Sequence, residues 1–509
     1  MSDELSEGWT DTLLTDICAR DKFAIVDGPF GSDLKLTDYV PDGTVPVLTT
    51  KNLTGTYDPN TVRFISPEKF EQLKRSKVVG GDILIAKIGS IGKCSLYPVD
   101  APTAIIPANL CKISADDRIV FNRYLCWQIK AEGFQSKLWG ITSATAQPAF
   151  SVQRLKTLSV RLAPILEQHR IVAKLENLID KVNLCQKRLE SIPAILKRFR
   201  QAILAAACSG KLTEDWRQQN PTLTLDAAEV VSGITPGVSS VCVASDEDPM
   251  ETFEIPSEWV WARCEHLCDS ERAITYGVIK LGAPVEHGIP TLRSSDVRWL
   301  RIDEEDVKCI SKEIASDYER TFLAGGEILV TVRGTLGGVA VVPSRLAGFN
   351  ISREVAVLPI HNSLVADFVC YAIAANWSQK WLMQVSKGVA YMGVNIRDLK
   401  RIPIPVPPMA EQKEVVRRVR TLLVLADEIE QRVTAAMQRV DRLTQSVLSK
   451  AFRGELVPTE AELAQREGRE YEPASVLLER IRKERESHAS SKSERKRTRT
   501  KSKLATAKG

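Results

Sequence analysis

The segment Gly80–Gly92 has the sequence GGDILIAKIGSIG, and Gly325–Gly337 has the closely similar sequence GGEILVTVRGTLG. Further matches recur along the chain at the same offset of 244–245 residues. They are Pro98 with Pro343, Cys126 with Cys370, Leu155-Lys156 with Leu399-Lys400, Pro164 with Pro408, and Gly210 with Gly454. Because one offset accounts for all of these matches, the chain contains two copies of one module.

The composition is that of a folded globular protein. The 509 residues are 44% hydrophobic, which suits roughly three domains with cores of their own. No apolar run approaches the ~18 residues of a membrane-spanning helix, and the first residues lack the charged-then-apolar order of a signal peptide. The eleven cysteines form no regular framework. Because scattered thiols suit a reducing compartment, we expect a cytoplasmic protein with no membrane partner.

Each copy ends in a segment with the periodicity of a long helix. Apolar residues recur three and four positions apart through four heptads, which is typical of a coiled-coil seam. The predicted seam residues are Leu175, Leu178, Val182, Leu189, Leu196 and Phe199 in the first copy, and Val419, Leu422, Ile429, Val433, Val440 and Leu443 in the second. Proline precedes and glycine follows each segment, as expected at helix ends. Pro193 lies inside the first helix and predicts a kink or a restart there.

Two seams of equal length in one chain predict two helices that pack on each other. The residues before them, about 10–160 and 259–405, alternate short apolar runs with Gly and Pro, which indicates strands and turns. The predicted fold class is α+β, with two pseudo-symmetric α/β domains joined by two long helices that form an antiparallel coiled coil. Ser, Gly, Pro and acidic residues between the copies predict a loose linker.

The C-terminal end is strongly basic. From Arg480 to Gly509 there are twelve Lys or Arg residues against three Glu, and almost no aliphatic residue. Such a segment cannot bury enough apolar surface to fold, so we expect a basic disordered tail. Its composition suits a solubilising tail and a non-specific attraction to DNA phosphates equally well.

No catalytic motif is complete in the sequence. Gly89–Lys93 resembles the end of a P-loop, but Lys87 stands where the first glycine is required and Cys94 replaces the hydroxyl residue. Neither the Asn/Asp-Pro-Pro-aromatic motif of an amino-methyltransferase nor a Gly-x-Ser-x-Gly elbow occurs. We therefore expect a chain that is not an enzyme and has no catalytic residue.

Cys264 and Cys268, with His266 between them, form the only cluster that suggests a metal site. Structural zinc usually takes four ligands, and no second close pair follows. We interpret the two cysteines as buried thiols and predict no metal site.

Two similar modules without a catalytic centre suit a protein that contacts two patches of DNA at a fixed separation. The candidate contacts are loop residues of the types that pair with base edges or phosphates. They are Lys51, Asn52, Lys87, Ser90, Lys93, Thr145 and Gln147 in the first copy, and Arg293, Ser294, Arg333, Thr335, Lys387, Tyr391 and Asn395 in the second. Several differ between the copies while the glycines and apolar positions agree, which predicts recognition of two different sequences. A solvated turn is the alternative for each residue taken alone.

The chain resembles the specificity (S) subunit of type I restriction-modification enzymes over essentially residues 8–480. The resemblance is carried by the segments that open and close the long helices, including two Pro-x-x-Glu-Gln motifs. The segments are APILEQHRIVAKLENL at 163–178, IPAILKRFRQAIL at 192–204, CSGKLTEDW at 208–216, PPMAEQKEVVRRVRTLL at 407–423 and LTQSVLSKAFRGEL at 443–456. The basic tail departs from the family pattern.

The resemblance implies an ordered set of domains. They are target-recognition domains at 1–160 and 259–405, conserved spacer helices at 161–216 and 406–460, a linker at 217–258, and a C-terminal segment at 461–509 that holds the tail. It implies a non-catalytic subunit that binds a bipartite, asymmetric site on double-stranded DNA, with one half for each domain and the spacing set by the coiled coil. It also implies two methyltransferase (M) subunits that carry S-adenosylmethionine, and restriction (R) subunits that use ATP and Mg²⁺.

Two other classes stay open at this point. One is a self-contained DNA methyltransferase or nuclease. The other is a coiled-coil adaptor without sequence-specific DNA contact.

Overall fold

The computed structural model of the chain describes residues 5–29, 31–41, 43–143, 147–221, 227–234, 253–386 and 393–487. The chain divides into two units. The first unit comprises Met1–Leu189 and Ala435–Gly509, and the second comprises Glu190–Thr434. Within the described ranges, no helix is both long enough and apolar enough to cross a membrane.

The strand-loop-strand segment of the first copy lies in a four-stranded antiparallel sheet of the first unit. The strand order is Ile25–Asp27, Leu110–Ile113, Ile83–Ala86 and Cys94–Leu96. Ile83 and Ile85 belong to one apolar cluster, whereas Leu84 and Ala86 belong to another. Side chains alternate between the two faces of a strand, and both faces are buried here, so the whole run is apolar.

Two smaller sheets and several helices complete the first unit. One sheet has the order Arg63–Ile65, Val45–Val47, Ala104–Ile105 and Lys77–Val78, and the other pairs Thr10–Leu13 with Ser159–Leu162. The helices are Pro67–Leu73, Asn122–Lys130, Glu132–Gly140, Val152–Leu155 and Glu460–Glu467, followed by a helical segment at 474–487.

The second unit repeats this plan. Its four-stranded sheet has the order Thr275–Tyr276, Val355–Leu358, Ile328–Thr331 and Val339–Val341, and Val260–Arg263 pairs with Pro403–Val406. The smaller sheets are Lys308–Ile310, Ile289–Leu292 and Asn350–Ile351, and Val297–Arg298 with Arg301–Ile302. The helices are Glu214–Gln219, Ala227–Ile234, Lys312–Ser316, Ala366–Ala374, Asn376–Val385 and Ile396–Lys400. The predicted fold class, with two α/β modules and two long helices, is confirmed.

The first long helix is Ile165–Cys208 and the second long helix is Met409–Ala451. Ion pairs within the second unit show that they run antiparallel. Arg200 contacts Asp427 at 2.6 Å, whereas Arg418, earlier on the second long helix, contacts Asp215 at 2.6 Å, beyond the end of the first. The predicted antiparallel packing is confirmed.

The predicted seam residues are buried or half-buried, with one exception. The buried ones are Leu175, Leu196, Val419, Val433 and Val440, and the half-buried ones are Leu178, Val182, Leu189, Phe199, Leu422 and Ile429. Leu443 is 52% exposed, so its assignment to the seam is wrong. Val447, four residues later, packs against the core of the first unit and continues the apolar stripe.

The first long helix continues without a break through Pro193, so the restart is excluded and the kink, the other predicted outcome, stays a prediction. Pro193 lies on the exposed side of the helix. Water can therefore reach the carbonyl group that loses its partner where proline has no N–H to donate.

Two segments are more ordered than their composition predicts. Ala227–Ile234, inside the predicted loose linker, is a helix whose Val231 is buried in the core of the second unit. The predicted disordered tail begins at Arg480, but the helix at 474–487 continues past that residue and buries Ile481. Both predictions are wrong for these residues because a few apolar side chains anchor each segment. The parts 222–226, 235–252 and 488–509 lie outside the described residues.

Arginines also fix the helix at 474–487 to the first unit. Arg482 contacts Asp16 at 2.5 Å, and Arg485 donates to Asp116 at 2.7 Å and to the carbonyl of Cys18 at 2.9 Å. Burial alone would raise the pKa of Asp116, but hydrogen bonds from Arg118 and Arg485 outweigh it and lower the pKa to about 2. Part of the basic charge in this region therefore stabilises the fold.

Candidate nucleic-acid interface

The glycine loop of each copy is a tight turn between two strands. Gly89 and Gly92 have φ values of +83° and +79°, and Gly334 and Gly337 have +72° and +96°. This left-handed conformation is strained for other residues, which explains why both copies keep glycine at these positions. The glycines therefore shape the turn, and the residues between and beside them form its tip.

The predicted contacts on the glycine loops are mostly exposed. Ser90 and Lys93 are exposed in the first unit, as are Arg333 and Thr335 in the second. The Arg333 guanidinium lies 5.5 Å from the ring centroid of Tyr276. Stacking on an aromatic ring restricts the arginine and leaves its edge available to hydrogen-bond acceptors.

Lys87 differs from the other residues of its loop. Its side chain is buried, and its Nζ lies 2.6 Å from Asp27 Oδ2, while Arg75 contacts the other oxygen, Asp27 Oδ1, at 3.1 Å. Lys87 therefore neutralises a partly buried carboxylate. The prediction that Lys87 contacts DNA needs correction, because its ammonium group is paired with Asp27 inside the domain.

The tetrapeptides Thr49–Asn52 and Arg293–Asp296, which match in the repeat, form the same turn. The Thr49 backbone N–H donates to Asn52 Oδ1 at 2.7 Å, and the Arg293 backbone N–H donates to Asp296 Oδ2 at 2.8 Å. Asn52 is buried and also donates to Thr61 Oγ1 at 2.7 Å. Asn52 is thus part of the framework, and its predicted DNA contact is also corrected. Lys51, the neighbouring candidate, is exposed.

Arg293 and Ser294 are similarly engaged within the second unit. The Arg293 guanidinium binds both oxygens of Asp296, at 3.1 and 3.0 Å. Ser294 is buried and donates to Glu354 Oε2 at 2.8 Å. The prediction that Ser294 contacts DNA is therefore corrected as well. Arg293 is half-buried and would have to leave Asp296 to reach a base.

The structure brings several predicted segments together. In the first unit, isolated β-bridges pair the backbone of Ala149 with those of Ile88 and Ser143. The segment that contains exposed Gln147 therefore lies beside the glycine loop. In the second unit a bridge joins Arg333 to Gly393, close to exposed Asn395. Thr145, Lys387 and Tyr391 lie outside the described residues.

A glutamine in each copy supports the glycine loop, and sequence reasoning missed it. Gln135 Nε2 donates to the carbonyl of Gly92 at 3.1 Å and to that of Ile129 at 2.6 Å. At the matched position, Gln379 Nε2 donates to the carbonyl of Ile373 at 2.7 Å, and its side chain lies against Gly337. Both glutamines obey the repeat offset, which was the sequence feature that could have identified them.

The Glu of each Pro-x-x-Glu-Gln motif is a buried acceptor. Glu167 accepts a hydrogen bond from Trp9 Nε1 at 2.8 Å and one from the Glu460 backbone N–H at 2.8 Å. Burial raises the pKa of Glu167 above its usual value, although these two bonds oppose the rise.

Glu411 has the matching role in the second unit. It accepts from Trp259 Nε1 at 2.8 Å, from Thr213 Oγ1 at 2.6 Å, and from the Arg217 guanidinium. In each unit this carboxylate therefore joins three parts of the chain: the start of the module, the start of one long helix, and the segment that follows the other long helix.

The Gln of the motif joins the long helix to the module. Gln168 Oε1 accepts from the backbone N–H of Phe121 at 2.8 Å, and Gln412 Oε1 accepts from that of Val365 at 2.9 Å. Phe121 and Val365 immediately precede the helices Asn122–Lys130 and Ala366–Ala374. The motif is thus a structural junction, whereas the sequence alone indicated only a helix start.

Cys264 and Cys268 are both buried, so their interpretation as buried thiols is confirmed. A hydrogen bond with Cys268, together with burial, raises the pKa of the Cys264 thiol. Among the described residues, no group of three or more His, Cys, Asp or Glu side chains is placed to hold a metal ion.

Comparison with known proteins identifies the family. The family model described as the type I restriction modification DNA specificity domain matches twice, at residues 29–194 and 288–439, which is one match for each copy of the repeat. The chain belongs to the type I restriction-modification specificity subunits. It is therefore a DNA target-recognition subunit, and its twofold repeat agrees with the two matches of the family model.

Individual relatives support this assignment. The chain is 34% identical to the EcoBI specificity subunit of Escherichia coli over 388 residues, which cover 75% of this chain and 76% of the relative. It is 26% identical to the EcoKI specificity subunit of E. coli strain K12 over 503 residues, which cover 95% and 96% of the two chains. A solved chain from a study of complex assembly in the type I R-M system has the same fold, with a TM-score of 0.60 and 18% identity over 89% of this specificity subunit and 99% of that chain.

Proposed function

We propose that each unit of this specificity subunit contacts one half of a bipartite, asymmetric site on double-stranded DNA. The observation that carries the proposal is the contrast between framework and loop tips. The loop glycines, the supporting glutamines and the buried Glu-Gln pairs match between the copies, whereas the exposed tips Lys93 and Arg333 have no counterpart in the other copy. Two equal scaffolds with different tips suit two different DNA sequences.

The antiparallel long helices set the spacing between the two half-sites in this proposal. Each helix begins at a Glu-Gln pair that is hydrogen-bonded into its module. Because an α-helix advances ~1.5 Å per residue, inserted residues would change the separation of the two units by a defined amount. A change in half-site spacing is the corresponding functional effect.

The chemistry would belong to partner subunits. We propose that two M subunits supply methyl transfer with S-adenosylmethionine, and that R subunits supply ATP- and Mg²⁺-dependent cleavage, while this chain is non-catalytic. Support comes from the glycine loop itself, in which buried Lys87 occupies the position of the first P-loop glycine and is paired with Asp27. That pairing leaves the loop unsuited to hold a nucleoside triphosphate.

The experiment that tests DNA recognition uses the full chain co-expressed with its M subunits. Footprinting on a duplex library should reveal two protected half-sites separated by a fixed gap. Protection without a shared sequence would favour the coiled-coil adaptor, and methyl transfer by the purified chain alone would favour the self-contained enzyme. Either outcome would contradict the proposal.

Reciprocal substitutions assign each half-site to a unit. Lys93→Ala should weaken recognition of one half-site and Arg333→Ala that of the other, each by about 1–3 kcal/mol if a base edge is contacted. Lys187→Ala, an exposed lysine on the first long helix, is the control for loss of one positive charge. If Lys93→Ala weakened both halves equally and only lowered the salt dependence, Lys93 would contact phosphates without distinguishing sequences.

A further inference from the structure

A large apolar side chain is exposed at the same position of both copies. Trp139, near the end of the helix Glu132–Gly140, is 53% exposed, and Met383, near the end of the helix Asn376–Val385, is 61% exposed. The two positions match at the repeat offset of 244. A single exposed apolar residue is common on protein surfaces. Its recurrence at one position of a duplicated module indicates a cause that both copies share.

The two helices are held in place by other residues. Leu138 and Leu382, which directly precede the exposed residues, are buried in the cores of their units. Successive residues of a helix point about 100° apart, so the core-facing position is already filled by leucine. Trp139 and Met383 are therefore not required to anchor the helices.

In the first unit the exposed residue lies beside the glycine loop. Residues four apart on a helix lie on one face, and four residues before Trp139 is Gln135, whose Nε2 donates to the carbonyl of Gly92 at 3.1 Å. Exposed Lys93 follows that glycine. The segment that contains exposed Gln147 begins just after the helix and also lies beside the loop. Trp139 is thus close to the candidate DNA contacts of its unit.

The second unit places its exposed residue in the same way. Met383 lines a small cavity together with Gly337 of the glycine loop and with Val394. Val394 directly precedes exposed Asn395, and Gln379, four residues before Met383, lines the same cavity. The exposed methionine is thus beside the glycine loop and the segment that follows its helix.

The position is kept between the copies, but the residue type is not. Gln135 and Gln379, which support the loops, are identical at the repeat offset, whereas the exposed residue is tryptophan in one copy and methionine in the other. Loop tips show the same contrast with their framework. A variable side chain on a constant scaffold is typical of a residue that distinguishes between ligands.

Duplex DNA offers one apolar group of this kind on its base edges. The 5-methyl group of thymine lies in the major groove, whereas the minor-groove edges present hydrogen-bond acceptors and the amino group of guanine. An apolar side chain gains free energy where it removes apolar surface from water. Insertion between base pairs would also bury apolar surface, but it requires unstacking and bending of the duplex. The thymine methyl group is therefore the favoured contact.

We propose that Trp139 and Met383 each cover the methyl group of a thymine in the half-site that their unit contacts. This inference rests on the proposed function and adds an apolar contact to the hydrogen bonds of the loop tips. Lys93 and Arg333 donate to acceptors on neighbouring base edges, while the apolar side chain excludes water from the methyl group. Each half-site therefore contains at least one T·A pair at a specified position.

The test uses the full chain co-expressed with its M subunits, on the two half-sites that footprinting defines. Each specified thymine is replaced in turn by deoxyuridine, which removes only the 5-methyl group. The affinity of each duplex is then measured by titration at constant salt concentration, because phosphate contacts depend on salt.

Four variants of the exposed residues are compared with two controls. Trp139→Ala and Met383→Ala remove the apolar side chain, whereas Trp139→Phe and Met383→Leu keep an apolar one. Val99→Ala and Val424→Ala are the controls for loss of an exposed apolar side chain in each unit. Val99 is 80% exposed beyond the end of the hairpin opposite to the glycine loop, and Val424 is 57% exposed on the second long helix.

Deoxyuridine at one position of each half-site should weaken binding of the unmutated protein about fourfold, the value for one buried methyl group. Trp139→Ala should remove that effect in one half-site and leave it in the other, and Met383→Ala should do the reverse. Trp139→Phe and Met383→Leu should retain the effect, as should both valine controls.

A protected bipartite site that binds equally well with thymine and deoxyuridine would overturn this inference and leave the proposed function intact. A half-site that specifies no thymine, or a deoxyuridine effect that persists in both alanine variants, would do the same. If Trp139→Ala released the M subunits, the side chain would belong to a protein interface, and the inference would again be wrong. Absence of any bipartite protection would refute the proposed function and this inference with it.

Discussion

Substitution of Glu411 by Gln should destabilise the second unit more than substitution of Glu167 by Gln destabilises the first. Both carboxylates are fully buried, and both accept an indole N–H at 2.8 Å. They differ in their other donors. Glu411 also binds the charged Arg217, whereas the second bond to Glu167 comes from the neutral backbone N–H of Glu460.

The magnitudes follow from these partners. A glutamine has one acceptor oxygen, so either variant leaves one buried donor without a partner, at a cost of about 1–3 kcal/mol. Glu411→Gln also removes the charge that pairs with Arg217, and breaking a buried ion pair costs about 3–5 kcal/mol in total. Arg217 is 15% exposed and keeps its bond to the carbonyl of Gly210, so we take the lower half of that range, about 3–4 kcal/mol.

Glu167→Gln should cost less, about 1–2 kcal/mol. Burial raises the pKa of Glu167, which means that its charged form is disfavoured in the folded state. A neutral side chain at position 167 therefore regains part of what the lost hydrogen bond costs. This contribution of Glu167 has a defined sign, since a carboxyl whose pKa is raised by folding stabilises the fold below its unfolded pKa and loses that effect as the pH rises through the folded pKa.

The assay is urea unfolding at neutral pH, with hydrogen exchange in peptides from each unit as the readout. Separate readouts are needed if the units unfold independently. A double-mutant cycle with Arg217→Ala isolates the ion pair, and a coupling energy of about 1–3 kcal/mol is expected for Glu411. Equal costs for the two glutamine variants, or no coupling between positions 411 and 217, would refute the reasoning.

Three further predictions address other parts of the chain. Gly92→Ala should lower the free energy of unfolding by about 1–3 kcal/mol, because the residue has φ +79° and its added Cβ would displace Gln135. Footprinting should show loss of protection at one half-site only. Loss of protection at both half-sites would contradict the loop assignment. Val440→Ala should lower the free energy of unfolding by about 1.5 kcal/mol, because two buried methyl groups are lost, whereas Leu443→Ala should change it by no more than about 0.5 kcal/mol. Urea unfolding measures both values. Arg485→Gln should lower the hydrogen-exchange protection of the helix at 474–487 by about 1.5–3 kcal/mol, because the bond to Asp116 is lost. In the unmutated protein, the same helix should lose protection as the pH falls from about 4 to about 2, since the pKa of Asp116 is lowered to about 2 in the folded state. Unchanged protection in that range would contradict a role for the Asp116 contact.

Periodicity and repetition were sufficient to predict the architecture. An apolar stripe that persists over four heptads has few structural alternatives, and a constant repeat offset transfers every assignment from one copy to the other. The predictions that failed concern segments whose local structure depends on a few particular contacts. Pro193 is tolerated because it lies on the exposed side, and the basic end of the chain stays helical to residue 487 because Ile481 and Arg485 find partners in the first unit.

The candidate site was harder to predict than the fold. Residue type alone cannot distinguish a side chain that extends from a loop from one that holds the loop together. Asn52 and Ser294 are types suited to base contacts, yet each is buried and hydrogen-bonded inside its unit. Lys93 and Arg333 extend from equivalent loops. The distinction depends on side-chain direction, which follows from tertiary packing and not from local sequence.

A continuous series of contacts joins the long helix to the loop tip in each unit, and this explains why the framework residues match between copies. In the first unit, Gln168 holds the N–H of Phe121, the helix Asn122–Lys130 follows, and Gln135 holds the carbonyls of both Ile129 and Gly92.

The second unit repeats the hydrogen bonds up to Gln379, through Gln412 and Val365, and there the Gln379 side chain lies against Gly337. Since helices and buried hydrogen bonds are stiff, the tip residue beside each glycine loop has a fixed position relative to its long helix. Under the proposed function, a subunit that matches two half-sites at one spacing requires this rigidity in both copies, and it can then vary the tip residues without loss of the spacing.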